Sequence, residues 1–178
     1  MNRKLLVLDL DETLVYAARR PLERAAGFAV GPYFVYKRPG VDDFLAFCFA
    51  HFETAVWTSA TRDYAEAIVQ ILFPQPPSFL WAIERCTVRY DPDCDAHVGT
   101  KNLVKLKRRG YRLEQVIVVD DSPEKHLRSY GNLVRVAPWT GDTADDDLLR
   151  LPRYLRTLAN VENVRTVEKR RWRSESEQ

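Results

Sequence analysis

Cysteine, glycine and long apolar runs are all in short supply in this chain, and each shortage excludes something. The 3 cysteines among 178 residues, Cys48, Cys86 and Cys94, are odd in number and irregularly spaced. They build neither a disulfide framework nor a zinc cluster, and they fit a reducing compartment. With only 7 glycines and no internal repeat, fibrous and low-complexity classes are excluded. No apolar stretch approaches the roughly 20 residues needed to cross a bilayer. Met1-Asn2-Arg3-Lys4 followed by Leu5 to Leu8 imitates the opening of a secretion signal, but Asp9, Asp11 and Glu12 break the run at once. The expectation is therefore a soluble protein with no signal peptide and no membrane partner, cytoplasmic in location, with the nucleus not excluded. An excess of one charge is missing too: 27 basic against 25 acidic side chains leave +2. Bulk electrostatics thus selects neither nucleic acid nor membrane, and any charge-based function must be local.

What is present describes one ordinary globular domain, 46% hydrophobic and 29% charged. Four short apolar runs, Leu5 to Leu8, Thr54 to Trp57, Val116 to Val119 and Leu133 to Ala137, read as parallel strands buried on both faces. Helical segments are predicted between most of them: from Asp42-Asp43, from about Asp63 to Leu72, from about Thr100 to Arg109, and from Thr143 onward, with Pro152 interrupting the last. Ser122-Pro123 reads as an N-cap with proline in the first turn of a short helix. Tyr16 to Lys37 reads as a loop and edge hairpin, Leu80 to Gly99 as a small antiparallel insertion. The implied fold is α/β, a Rossmann-like parallel sheet flanked by helices with a small β insertion and no large cap domain. A domain over residues 1–160 is expected, followed by a basic, then polar and loosely ordered tail over 161–178.

Three of the strands end in reactive polar residues: Asp9-Leu10-Asp11-Glu12-Thr13, Thr58-Ser59 and Asp120-Asp121-Ser122. In a parallel α/β sheet ligands bind beyond the carboxyl ends of the strands, so these groups converge on one crevice. Four neighbouring carboxylates require a neutralising cation. All-oxygen donors without companion His or Cys favour Mg²⁺ over zinc.

On these residues the sequence resembles the haloacid-dehalogenase superfamily, and within it the FCP/SCP-like (NLI-interacting-factor-like) phosphatases. Asp9-Leu10-Asp11-Glu12-Thr13-Leu14-Val15 is similar to the first motif of that family, and Lys37-Arg38-Pro39-Gly40-Val41-Asp42-Asp43-Phe44-Leu45 to the segment that follows it. Val56-Trp57-Thr58-Ser59-Ala60 matches the second motif, Lys101-Asn102-Leu103 the third and Val118-Val119-Asp120-Asp121-Ser122-Pro123 the fourth. The resemblance implies that Asp9 is the nucleophile, forming an aspartyl-phosphate, and that Asp11 is the acid and base. It implies that Thr58 binds a phosphoryl oxygen and Lys101 neutralises charge. Mg²⁺ would be held by the Asp9 carboxylate, the Asp11 backbone carbonyl and Asp121, with Asp120 behind them. The implied substrate is a phosphoserine or phosphothreonine in a protein, since the short insertions leave the site open. Two departures stand beside this: Asp121 replaces the usual asparagine, and Tyr16-Ala17 replaces the usual His-Ser, which keeps a small-molecule or nucleic-acid-end phosphate in view as the alternative.

Rival readings use the same residue types. A phospho-receiver module also gathers carboxylates, Thr and Lys around Mg²⁺, but in another chain order. A catalytically silent scaffold would not need both Asp9 and Asp11. Asp91, Asp93 and Asp95 alternate like a calcium loop, yet Ala96 stands where glycine is required. His51, His97 and His126 lack metal-ligand spacing and are expected in ordinary surface or packing roles. The tryptophans Trp57, Trp81, Trp139 and Trp172 are expected in or beside the core. Lys169-Arg170-Arg171-Trp172-Arg173 is expected to be a solvated tail, and nucleic acid is not expected as a partner.

Overall fold

The computed structural model describes residues 3–91 and 96–175. Five strands form the central sheet: β1 (Leu5–Leu8), β5 (Glu53–Trp57), β6 (Leu80–Trp81), β9 (Val116–Asp120) and β10 (Leu133–Arg135), in the order β10-β9-β1-β5-β6. Every pairing in it is parallel. β1 is central and wholly buried because Leu5 to Leu8 present apolar side chains to both faces. Leu6 and Leu8 join one core with Val56, Ile117 and Val119. Leu5 and Val7 join a second with Trp57, Trp81, Val116 and Val118. The register sets Leu8 beside Val56 on one side and Val119 on the other, so the next residues of all three strands emerge together at one edge.

Helices α1 (Val41–His51), α2 (Arg62–Leu72) and α4 (Asp147–Asn160) cover the first face, and the short α3 (Val104–Lys107) lies on the second. Gly40 opens α1 at φ +76°, where a Cβ would stand 2.5 Å from Leu149 Cδ2, so the turn admits glycine alone. α4 does not break at Pro152. It starts at Asp147 and continues to Asn160, because Leu148, Leu151, Tyr154, Leu155 and Leu158 keep it against the core. No side-chain cap opens it: Asp146 turns to Arg150 at 2.7 Å instead. The segment after Ser122 is a single 3-10 turn, Pro123–His126.

Between β1 and α1 lies a three-stranded antiparallel sheet, β2 (Val15–Ala18), β3 (Phe28–Val30) and β4 (Tyr33–Lys37), in the order β2-β4-β3. Strands β7 (Thr87–Asp91) and β8 (Ala96–Thr100) make the expected antiparallel insertion, while Leu80-Trp81 joins the main sheet. The side chains of the calcium-like alternation Asp91, Asp93 and Asp95, and Cys94, lie outside the described residues.

The segment after Asn160 differs from the loosely ordered tail expected of it. Val164 is buried in a 3-10 turn, Lys169 is buried with its ammonium on the carbonyls of Gly131, Val164 and Val167, and α5 (Trp172–Glu175) carries Trp172 into the first core. Trp172 Nε1 donates to Arg135 O at 2.7 Å. Composition hid this, because one tryptophan among basic residues anchors the segment while Arg170 and Arg171 beside it face outward. Among the described residues no helix is long and apolar enough to cross a membrane.

Candidate active site

The strand-end residues converge as the parallel topology requires. Asp9 follows β1 and its backbone N–H donates to Val119 O at 3.0 Å, which fixes it beside Asp120 at the end of β9. Asp9, Asp120 and Asp121 each offer a carboxylate oxygen within 4.8 Å of the others. Lys101, buried at the end of β8, places Nζ 2.9 Å from Asp9 Oδ1 and 2.5 Å from Asp120 Oδ2. Its backbone N–H is tied to Lys125 O at 2.9 Å, so the lysine enters from a strand end rather than from the helix expected over 100–109. That helix is confined to Val104–Lys107 because Thr100 is committed to β8 and Gly110, at φ +88°, ends the turn.

The carboxylates are not equivalent. Asp120 is saturated: Oδ1 accepts from Ser122 N at 2.9 Å, and Oδ2 accepts from Lys101 and faces His126 Nε2 at 2.8 Å. Burial works against its charge, but Lys101 and His126 prevail and hold its carboxyl below the usual range. Burial likewise opposes the Lys101 ammonium, yet Asp9 and Asp120 raise its pKa. Asp9 has the reverse balance. Burial first, then the Asp120 charge, push its carboxyl up to about 7 against the pull of Lys101 and Lys125. Its Oδ1 stands at ion-pair distance from Lys101 but outside hydrogen-bond alignment, a buried acceptor without a hydrogen bond. An under-satisfied buried carboxylate oxygen next to two more carboxylates is a donor set that a hard divalent cation fits. Asp121 is half-exposed, accepting from Thr13 Oγ1 at 3.1 Å and from Ser122 Oγ at 3.2 Å.

Asp11 lies outside the three-carboxylate group. Its Oδ1 accepts a 2.6 Å hydrogen bond from Tyr64 Oη on α2. Burial raises its pKa, and the tyrosine bond offsets part of that rise. Between them Glu12 adopts φ +55°, and burial with the Asp11 and Asp121 charges lifts its carboxyl to about 7. Thr58 is buried at the end of β5, its Oγ1 accepting from Ala60 N at 3.1 Å and its own N–H donating to Trp81 O at 2.9 Å. A groove of about 360 Å³ opens in front of this wall, lined by Asp11, Glu12, Tyr33, Ser59, Ala60 and Tyr64 among others.

The profile of the family described as NLI interacting factor-like phosphatase matches residues 4–165. The chain belongs to that family. Relatives include a human CTD small phosphatase-like protein, 32% identical over 171 residues that make up 92% of this chain and 59% of the relative. A probable C-terminal domain small phosphatase of Dictyostelium discoideum is 35% identical over 173 residues, 92% of this chain and 53% of the relative. The chain thus spans somewhat more than half the length of these relatives. The same fold occurs in the solved structure of Fcp1, an essential RNA polymerase II CTD phosphatase: TM-score 0.58, 22% identity, covering 77% of this chain and 42% of that one. The fission yeast Fcp1 variant bound to beryllium fluoride gives TM-score 0.55 at 18% identity, over 98% of this chain and 49% of that one.

Against this family background, the predicted residues Asp9, Asp11, Thr58, Lys101, Asp120 and Asp121 all reach one edge of the sheet, with Asp120 buried behind Asp9 and Asp121. Three residues escaped the sequence reading. His126, assigned an ordinary role, is buried and bonded to Asp120. Tyr64 lies within the helix expected from about Asp63 to Leu72, and its hydroxyl holds Asp11. Arg38 is buried, donating to Thr13 O at 3.1 Å and gripping Asp145 through two 2.7 Å bonds and Asp147 at 3.1 Å. The signal for Arg38 was its place in the segment from Lys37 to Leu45 that resembles the family. Its carboxylate partners lie more than a hundred positions downstream, beyond the reach of local patterning. Arg85 lies exposed with its guanidinium 4.9 Å from the Trp81 ring centroid.

Proposed function

We propose that the chain hydrolyses phosphomonoesters, with phosphoserine and phosphothreonine of proteins as substrate class, through a phosphoryl group carried on Asp9. The observation that carries this reading is the Asp9 Oδ1 acceptor: buried, without a hydrogen bond, beside Lys101 at the carboxyl edge of the sheet. An Asp9 oxygen attacks phosphorus and the bond to the leaving oxygen breaks. Asp11, its pKa raised by burial, gives that oxygen its proton. Asp11 then takes a proton from a water whose oxygen attacks phosphorus, the bond to Asp9 breaks, and inorganic phosphate leaves. Lys101 offsets the charge gathered on the phosphoryl oxygens, and the Thr58 hydroxyl, an acceptor toward Ala60, keeps its own proton to donate to one of them.

Mg²⁺ would be held by the Asp9 carboxylate, the Asp11 carbonyl and Asp121, and its chemistry when bound is to neutralise the nucleophile and the transferring group. Asp120 is spent on Ser122, Lys101 and His126, which suits a residue that fixes the lysine rather than one that binds the cation. The open groove beside Asp11 and the naming of relatives as C-terminal domain phosphatases both support a protein side chain as the group that enters. The cytoplasm remains the proposed location, in keeping with Cys48 and Cys86 as free thiols.

The test is turnover of p-nitrophenyl phosphate with Mg²⁺ and with EDTA, by the unaltered protein and by Asp9→Asn. Metal-dependent turnover that Asp9→Asn abolishes is the expected result. A folded, Mg²⁺-binding protein without turnover would favour a receiver or scaffold. Activity on small esters together with inactivity across a phosphopeptide panel would replace the protein substrate with a small-molecule one.

A further inference from the structure

We propose that a second cavity, which abuts the cluster through Lys101, is a subsite for another anionic group, a phosphate or carboxylate, on the protein segment that carries the reacting phosphoester. The inference rests on the phosphatase reading and specifies its substrate as an acidic or multiply phosphorylated segment.

The cavity measures about 200 Å³ and is walled by the β7–β8 hairpin and the turn after β9, with Thr87, Arg89, Lys101, Asn102, Lys125 and Arg128 contributing polar groups. Pockets for whole small-molecule ligands measure about 300–1,000 Å³, so this smaller space suits one group of a larger substrate. Among the described residues no carboxylate lines it. Several arginines elsewhere are held by acidic partners: Arg38 by Asp145, Arg62 by Glu84, Arg150 by Asp146, Arg173 by Asp147. Among the described residues Arg89, Lys125 and Arg128 form no ion pair. In a chain whose charges almost cancel, three unpaired cations around one cavity constitute a local positive site facing a negative cluster.

Lys125 links the two. Its backbone carbonyl accepts from the Lys101 N–H at 2.9 Å and it lines the cavity, so one turn borders both the reacting centre and the second cavity. Asn102 Oδ1 is engaged by Val104 N–H at 3.2 Å, which leaves the amide NH₂ as a donor. Two guanidinium groups supply the paired N–H donors that match phosphate and carboxylate oxygens. At the rim Val88 and Leu127, 69% and 63% exposed, offer apolar contact to the stem of the incoming side chain. A segment that places its phosphoester on Asp9 and its second anion here straddles Lys101, which gives the site two points of recognition.

The experiment uses phosphopeptides of one sequence: a single phosphoserine with neutral flanks, each of a set with a second phosphoserine two to five residues away on either side, and the same set with glutamate in its place. Binding is read by fluorescence anisotropy on the Asp9→Asn protein, and kcat/KM on the unaltered protein. We expect the best doubly phosphorylated peptide to bind at least tenfold more tightly than the singly phosphorylated one, and its glutamate counterpart severalfold more tightly. Combining Arg89→Ser with Arg128→Ser should remove the advantage, while Arg89→Lys with Arg128→Lys should retain part of it. Equal affinity across the set, or a preference that survives the double serine variant, overturns the subsite. A terminally phosphorylated single-stranded oligonucleotide that binds more tightly than every peptide, through the same arginines, overturns the protein segment as occupant. If the unaltered protein hydrolyses no phosphoester while arginine-dependent preference persists on the Asp9→Asn protein, the phosphatase reading falls and the anion site stands.

Discussion

Tyr64 Oη donates to Asp11 Oδ1 at 2.6 Å, joining the first turn of α2 to the carboxyl group that must release and regain a proton. This bond partly opposes the desolvation that raises the Asp11 pKa. Tyr64→Phe keeps the ring against Tyr33 and removes only the hydroxyl, so the Asp11 pKa rises further. The pH-rate profile on p-nitrophenyl phosphate should move toward higher pH, and kcat should fall by about tenfold, the equivalent of roughly 1.4 kcal/mol of a charge-assisted hydrogen bond. An unchanged profile with a changed KM would make Tyr64 a substrate contact instead.

The parts of the molecule governed by local pattern were legible in its sequence. Leu5 to Leu8, Thr54 to Trp57 and Val116 to Val119 are apolar on both faces, and only interior parallel strands bury both. Once those strands are parallel, the placing of Asp9, Thr58 and Asp120 at one edge follows. Contacts made at long range were not legible. Arg38 is buried because Asp145 and Asp147 meet it, and Lys101 occupies a strand end because β8 pairs with β7. The segment from Lys169 to Arg173 defeated a reading by composition for a different reason: its charges dominated the pattern, although Trp172 within it was expected in or beside the core.

Asp121 stands where the resemblance drawn from the sequence implies asparagine, and its half-exposed carboxylate belongs to the group with Asp9 and Asp120. The extra charge strengthens attraction for a divalent cation at close range. Asp121→Asn should therefore raise the Mg²⁺ concentration for half-maximal activity by about tenfold or more, with turnover at saturating Mg²⁺ largely retained. Direct calorimetry of Mg²⁺ binding checks the same point without turnover. Equal affinity in both proteins would remove Asp121 from the cation site.

The cluster also sets how stability depends on pH when divalent cations are stripped by EDTA. Asp9 and Glu12 titrate near 7 in the folded chain, and Asp11 is raised as well, all chiefly through burial. Between the ordinary value, 3.8 for Asp9, and about 7, the folded chain binds more protons than the unfolded one, so stability falls as pH rises through that window. Asp120 acts oppositely, but its stabilising share is complete above its ordinary value and is lost only in stronger acid. Urea midpoints in EDTA should thus be higher near pH 5 than above pH 7, and Mg²⁺ should narrow the gap by relieving the repulsion. A midpoint that climbs steadily from pH 5 to pH 7 would mean that these carboxylates fold without cost.

Trp172 anchors the last described helix to β10, and Arg173 beside it links that helix to the loop that follows Asp9. Its indole is buried and bonded to Arg135 O, and the adjacent Arg173 pairs with Asp147, which also receives Arg38. Arg38 in turn donates to the carbonyl of Thr13, whose hydroxyl reaches Asp121. Trp172→Ala should cost about 3–5 kcal/mol, as deletion of a large buried aromatic does, whereas substitution in a solvated tail costs less than about 0.5 kcal/mol. Release of the segment should also loosen the Arg38 network, so that residual activity falls more steeply with urea than the folded fraction does. Denaturation followed by circular dichroism alongside p-nitrophenyl phosphate turnover reads both quantities. Coincident curves for the variant would show that the segment stabilises the domain without bearing on the site.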